Sequence, residues 1–310
     1  MHILLTGATG FIGDHLVHEL EKSDHELYIL TRQKLKNRAN VHYIEWLNED
    51  KLPNLEDLPV DVCINLAGAG LMDEKWTYDR KKVIVNSRIE ATSALLSIVK
   101  KMKSKPKLWI NASAIGAYTS SKSTIYLDTE ENTYADNFLG KTVYEWEKTA
   151  SAASDLGIRV VYARFGLVLG TNGGSFPVFE KLFQTYTGGR FGNGRQWYSW
   201  IHVDDVVAAI LFIFDHEQIN GVVNFTAPHP VQEKKFAERL GKKMHKPYKT
   251  PVPKKIIKFI LGERAMTILD SQRAYPEKLM SNPNNSFILV SSTNIIKKLN
   301  GIILYKNGTW

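Results

Sequence analysis

The chain has 310 residues, 44% of them apolar and 23% charged, which excludes a disordered or fibrous protein and leaves enough length for a large core. Its single cysteine, Cys63, excludes an intrachain disulfide and fits a reducing compartment, so a cytoplasmic location is expected. The net charge of +8 comes largely from lysine clusters at 100–107, 234–243 and 254–255, but no nucleic-acid motif accompanies it, so a solvated basic face is the expectation.

The N-terminal half alternates strand and helix patterns. Residues 2–6 predict a buried strand and 11–21 an amphipathic helix with Phe11, Ile12, Leu16, Val17 and Leu20 on one face. Further strands are predicted over 26–31, 41–46, 60–66, 107–112 and 159–164, with helices over 80–101 and 138–155. Strands alternating with helices of this length predict an α/β fold: a Rossmann-type, doubly wound parallel sheet. The Rossmann domain is expected over 1–170. A smaller, irregular substrate-side region is expected over 171–310, parts of it returning to the main sheet. Within that region, 204–214 predicts a helix capped by its leading aspartates. The longest apolar run, 206–214, is far too short to span a bilayer, so no membrane partner is expected.

The segment Thr6-Gly7-Ala8-Thr9-Gly10-Phe11-Ile12-Gly13 follows an apolar strand and opens a helix. Its G-x-x-G-x-x-G spacing is a relative of the dinucleotide fingerprint. Glycines permit a tight turn and close approach of pyrophosphate to the backbone, and the helix N-terminus offers free N–H groups to the phosphates. Gly7, Thr9, Gly10, Phe11 and Ile12 are therefore candidate cofactor contacts. Where NAD-specific sites carry an acidic residue, the second strand here ends in Thr31 and Arg32, with Lys34 nearby. An arginine at that place accommodates a 2′-phosphate, so NADP(H) is the expected cofactor. Small residues at 67–70, after the fourth strand, allow a cofactor to lie against the backbone or simply make a turn. Cys63, in an apolar run, reads as a buried small hydrophobe. No spacing of the nine histidines suggests a metal site.

Together these residues resemble the extended short-chain dehydrogenase/reductase superfamily and, within it, an atypical epimerase-like family of NAD-dependent epimerase/dehydratase type. The shared features are TGATGFIG at 6–13, NLAGAG at 65–70, Trp76, and Ser87-Arg88. They continue with SAIGAY at 113–118, Trp146-Glu147, RFGLVLG at 164–170, Gly173-Gly174, GNGRQWYSWIHVDD at 192–205 and NFTAPHPV at 224–231. After about residue 281 the chain departs from the family's ending. The resemblance implies NADP(H) in the glycine loop, with Arg32 near the 2′-phosphate and contacts from Leu66, Ala67 and Gly68. It places Asn86, Ser87 and Arg88 on the helix flanking the nicotinamide half, and Arg164 and Gly166 at the nicotinamide-side strand end. Ser113 matches the superfamily's catalytic serine, and His202 and Asp205 look like scaffold of the substrate side.

Superfamily enzymes use a Tyr-x-x-x-Lys pair as acid and base. Three such strings occur here: Tyr78/Lys82, Tyr118/Lys122 and Tyr144/Lys148. Only the last falls on the expected helix, yet anchoring on Glu147 puts the catalytic positions at Leu139 and Val143, which cannot ionise. Tyr144, five residues past Leu139, would be turned roughly 140° around the helix. Tyr118 is the first candidate for a replacement proton donor, with packing against core or substrate as the alternative. Ser113 either orients a substrate oxygen or satisfies a strand end. Arg190 and Arg195 could grip a diphosphate, with Trp197 and Tyr198 beside a base or sugar, unless the segment is a surface loop.

These readings point to an NADP(H)-dependent oxidoreductase or epimerase-like enzyme acting on a small polar substrate, a nucleotide-linked one among the candidates. The alternative is a non-catalytic NADP(H)-binding sensor, favoured by the missing Tyr/Lys pair. A nucleic-acid scaffold rests on charge alone, and no nucleic-acid partner is expected. Oligomeric state stays open.

Overall fold

A computed structural model describes residues 1–48, 52–121, 130, 133–185 and 188–281. Its centre is a seven-stranded, all-parallel sheet. The strands in the N-terminal half are β1 (His2–Thr6), β2 (Glu26–Thr31), β3 (Val41–Glu45), β4 (Val62–Asn65), β5 (Leu108–Ala114) and β6 (Arg159–Phe165). The strand Gly221–Phe225 completes the sheet in the order Gly221–Phe225, β6, β5, β4, β1, β2, β3. Every neighbouring pair is parallel. The order reverses beside β1, where an open α/β sheet offers a crevice at the strands' C-terminal ends.

The helices α1 (Phe11–Leu20), α2 (Tyr78–Lys101) and α3 (Phe138–Ser151) cover the sheet. α1 buries Gly13, Leu16, Val17 and Leu20, a spacing that puts all four on one face. Its face and that of α5 (Val203–Phe214) bury one side of the sheet in a core with Ile3, Leu5, Ile29 and Ile64. Residues of α2 bury the other side with Leu4, Leu30, Cys63 and Trp109. Thr77 caps α2 by accepting the Arg80 N–H at 3.1 Å, and Asn137 caps α3 by accepting the Gly140 N–H at 2.9 Å.

A third core lies in the C-terminal half. It joins α4 (Phe176–Gln184), α6 (Glu233–Met244) and α7 (Lys254–Leu261) through Phe179, Phe183, Tyr198, Leu240, Ile257 and Ile268. A small sheet connects it to the Rossmann part: Trp200–His202 runs parallel to β7 (Leu167–Gly170), which pairs antiparallel with Gly173–Gly174.

Several element ends shift by one or two residues from the sequence expectation, and two of the differences have a clear local cause. α5 is capped by His202, whose Nδ1 accepts the Asp204 N–H at 3.2 Å, and not by the aspartates. Asp205 is buried inside the helix instead. α3 stops at Ser151 rather than near 155, because a tighter turn over Ser154–Leu156 intervenes and Gly157 turns the chain with φ of 75°. No helix among the described residues is long and apolar enough to cross a membrane.

Candidate functional site

The turn after β1 is built from backbone. The Thr6 hydroxyl donates to Asn65 Oδ1 at 2.7 Å, tying the ends of β1 and β4 together. Gly7 then adopts φ of 72°, and a Cβ there would sit 2.5 Å from the Leu66 carbonyl carbon. A Cβ on Gly13 would lie 2.3 Å from the Gly7 oxygen, so α1 packs directly on the turn. Gly10 stands at the helix N-cap without a side-chain cap. The first-turn N–H groups of α1 therefore lack intrahelical partners and are covered by no capping side chain, an arrangement suited to a pyrophosphate.

Gly7, Gly10, Phe11 and Ile12 line one end of a cavity of about 650 Å³, and Leu66 and Gly68 join them from the end of β4. Among the other expected cofactor contacts, Thr9 and Ala67 are not in its wall. Thr31 is buried at the end of β2 with its hydroxyl accepting the Gln33 N–H at 3.1 Å. Arg32 is exposed beside it. Both lie at the sheet's C-terminal edge, outside the cavity.

Asn65, fully buried, donates to Thr92 Oγ1 at 2.8 Å and Asn111 Oδ1 at 2.7 Å, which fixes the loop after β4 to α2 and β5. The Ser87 hydroxyl accepts the Ala69 N–H at 3.0 Å, so Ser87 holds the loop rather than facing the cavity. Arg88 does line the cavity. Its Nη1 donates to the carbonyls of Ala69 and Ile84, at 3.0 and 2.8 Å, and its guanidinium lies 4.9 Å over the Trp146 ring. Burial, helped by the nearby Arg80 charge, brings its pKa down to about 10.

Ser113, at the C-terminal end of β5, faces the cavity and donates its hydroxyl proton to the Glu147 carboxylate. Glu147 also holds Arg164 in a two-pronged ion pair, with both N–O distances 2.8 Å, and accepts the Tyr134 hydroxyl at 2.7 Å. Leu139 and Val143 stand in the cavity wall on α3 with Thr142 and Trp146. Tyr144 is exposed, with Lys148 Nζ 5.6 Å from its ring centroid and not at its hydroxyl. Tyr78, in the first turn of α2, is also exposed, with Lys82 over its ring. Lys122 lies outside the described residues.

Two further expected site residues, Tyr118 and Arg164, are buried outside the cavity wall. Tyr118 is fully buried outside the cavity wall, donates to Asn224 Oδ1 at 2.7 Å, and lies beneath the Arg164 guanidinium. The short turn Ile115–Ala117 carries it under the strand ends, and burial raises its pKa. This corrects the expectation that Tyr118 faces the reacting centre. Arg164 is likewise fully buried and absent from the wall, because Glu147 holds its guanidinium. Gly166 does line the cavity; a Cβ there would be 2.4 Å from the Ser199 oxygen.

At the far end, Trp197, Tyr198 and Ser199 come from the expected loop. Arg190 and Arg195 do not line the cavity, and Arg195 is exposed. Tyr198 donates to the Ile268 carbonyl at 2.8 Å, and Ser199 to that of Gln272 at 2.9 Å. Sequence reasoning missed Met72, Asp73, Met266, Thr267, Asp270 and Gln272, all in this wall. No local pattern marks them. His202 caps α5, and burial with the neighbouring Asp204 charge pushes Asp205 up to about 8. Cys63 is buried in the sheet, which raises its thiol pKa. No group of three His, Cys, Asp or Glu side chains among the described residues is arranged to hold a metal ion.

Comparison with known proteins gives this arrangement a family. Residues 3–225 match the NAD dependent epimerase/dehydratase family, and 252–282 match a domain of unknown function. An epimerase family protein of Staphylococcus epidermidis is 41% identical over 277 residues, covering 89% of this chain and 91% of its own. A human epimerase family protein, crystallised with NADPH, is 27% identical with a TM-score of 0.77, covering 93% of this chain and 96% of its own. A nucleoside-diphosphate sugar epimerase of Corynebacterium glutamicum is 26% identical with a TM-score of 0.71, over 99% of this chain and 62% of that one. The chain belongs to the NAD dependent epimerase/dehydratase family.

Proposed function

We propose that the chain is an NADP(H)-dependent oxidoreductase or epimerase-like enzyme acting on a small molecule. The observation that carries this reading is the continuity of one cavity from the glycine turn, Gly7 to Ile12, to Ser113 at the end of β5. Gly7 and Gly13 admit no side chain, and the uncapped start of α1 is free to take a pyrophosphate. Arg32 at the end of β2 favours a 2′-phosphate over a bare ribose. The human relative crystallised with NADPH supports the same preference.

When bound, the nicotinamide supplies a hydride donor or acceptor. The chain's own residues would hold and orient a substrate against it. Because the Ser113 proton is directed to Glu147, the serine oxygen is left to accept a hydrogen bond from a substrate hydroxyl. Leu139, Val143 and Trp146 would exclude water from the same place.

A second reading, a non-catalytic NADP(H) sensor, is favoured by one observation: Leu139 and Val143 occupy the wall where the acid–base pair is expected. Both readings share the cofactor site. Calorimetric titration with NADPH and NADH, on wild type and Arg32→Ala, tests it. Tight NADPH binding, weak NADH binding and loss of that preference in the variant are expected. Equal affinities in the wild type would remove the NADP assignment. Ser113→Ala then separates enzyme from sensor: an enzyme loses turnover at unchanged NADPH affinity, whereas a sensor has no turnover to lose.

A further inference from the structure

Between Glu238 and Glu263 the chain carries Arg239 and seven lysines and no carboxylate, a charge of +8 that equals the net charge of the whole protein. The rest of the chain is therefore balanced, and the basic excess is concentrated in this one stretch. α7 (Lys254–Leu261) closes it, with three lysines and no acidic residue of its own. The flanking carboxylates are engaged elsewhere: Glu238 pairs with Lys242 and Glu263 with Lys81. Asp270, which feels the charge of Lys254 and Lys258, is half-buried and lines the cavity.

α7 also exposes apolar surface. It packs on the third core through Ile257 and Leu261, both buried. At about 100° per residue, the direction opposite to that pair falls on Phe259. A helix of a soluble domain ordinarily puts a polar residue there. Phe259 is instead 88% exposed, more than any other large apolar side chain among the described residues, and Ile256, one turn before it, is exposed as well. Lys255 and Lys258, also exposed, stand beside them on the helix.

The pattern selects among partners. A stable protein partner buries about 800 Å² on each side around a well-packed apolar centre, which two projecting side chains on an eight-residue helix do not supply. Nucleic-acid bases stack on aromatic rings set in a basic groove, whereas the Phe259 ring projects from the outermost line of a helix. A bilayer needs neither pocket nor groove. Its fluid interface accommodates a projecting ring while anionic headgroups take the lysines.

We propose that α7 is a peripheral docking element for an anionic lipid surface, with Phe259 and Ile256 entering the headgroup boundary and Lys255 and Lys258 meeting the lipid anions. This mode needs no membrane-spanning helix, and it is independent of the cofactor and substrate readings.

The test is co-sedimentation of the full chain with vesicles of phosphatidylcholine alone and of phosphatidylcholine mixed in equal parts with phosphatidylserine. Binding to the mixed vesicles, none to phosphatidylcholine alone and release by high salt are expected. Phe259→Ala changes an exposed residue, so it should keep the wild-type melting temperature while weakening vesicle binding by about tenfold. Lys255→Glu with Lys258→Glu should weaken it by at least about tenfold. Lys100→Glu with Lys101→Glu, at exposed lysines ending α2, changes the net charge equally and should cost less than about twofold. Equal losses in the two charge variants would reduce the binding to net charge and overturn the proposal. So would no binding to the mixed vesicles, or unchanged binding in Phe259→Ala. Self-association of the wild type that Phe259→Ala abolishes would assign the face to a second copy of the chain and overturn it too.

Discussion

The two ends of the cavity are made of different materials. The near end is main chain: a glycine turn, the uncapped start of a helix and the loop after β4, with Gly7, Gly10 and Gly68 exposing backbone. The far end is side chain, assembled from α3, the loop around Trp197 and the segment 266–272. A backbone site tolerates little change of residue, because any Cβ would fill it. A side-chain site can be relined without altering the fold. One scaffold can thus keep a cofactor while exchanging substrates.

The sharpest way to break this contrast is Gly7→Ala. The positive φ and the 2.5 Å approach to Leu66 leave no room for the methyl, so NADPH binding should fall by at least about a hundredfold in calorimetry. Met266→Ala at the far end should leave NADPH affinity within about twofold. Equal losses in the two variants would show that the ends are not independent.

Between the ends stands the buried ion pair of Glu147 and Arg164. Removing one partner strands the other charge, which costs about 3–5 kcal/mol. Glu147→Ala should lower the melting temperature by on the order of 10 °C, read by calorimetric scanning. A double replacement of Glu147 and Arg164 by methionine should recover part of the loss. No recovery would mean that Ser113 and Tyr134 depend on the carboxylate more than Arg164 does.

A smaller effect concerns pH. Burial raises Asp205 and Glu233 to about 8, with the Asp204 charge adding to the former. Both then bind a proton more tightly folded than unfolded. Their stabilising contribution is full below their unfolded pKa, near pH 4, and is lost as pH rises through about 8. The melting temperature should fall by a few degrees between about pH 6 and pH 9 on this account, and Asp205→Asn with Glu233→Gln should flatten that fall. An identical pH slope in the double variant would contradict it. The smallest effect is expected of Tyr118→Phe. Losing its bond to Asn224 costs about 1 kcal/mol, with no change in any turnover the protein shows.

Much of the sheet was legible because each β-strand and its following helix carry their own periodicity. β1, β2 and the glycine turn are where the residues predicted them. The far wall was not legible, since Met72 and Gln272 meet only through tertiary packing. Arg164 and Tyr118 were misplaced for a related reason. Side-chain direction at a strand end depends on the partner available, and Glu147 reaches Arg164 from another helix. Sequence spacing put Tyr118 five residues from Ser113 but could not reveal the turn that carries it beneath the strand ends. Leu139 and Val143, which the family pattern anchored on Glu147 singled out, both line the cavity, and their spacing of four along α3 puts them on one face of that helix.

The most direct test of the account is a crystal structure of the chain with NADP⁺. The pyrophosphate should lie on the first-turn N–H groups of α1, and the nicotinamide between Ser113 and the wall of Leu139 and Val143. A cofactor bound away from the glycine turn, or a nicotinamide turned away from Ser113, would contradict it.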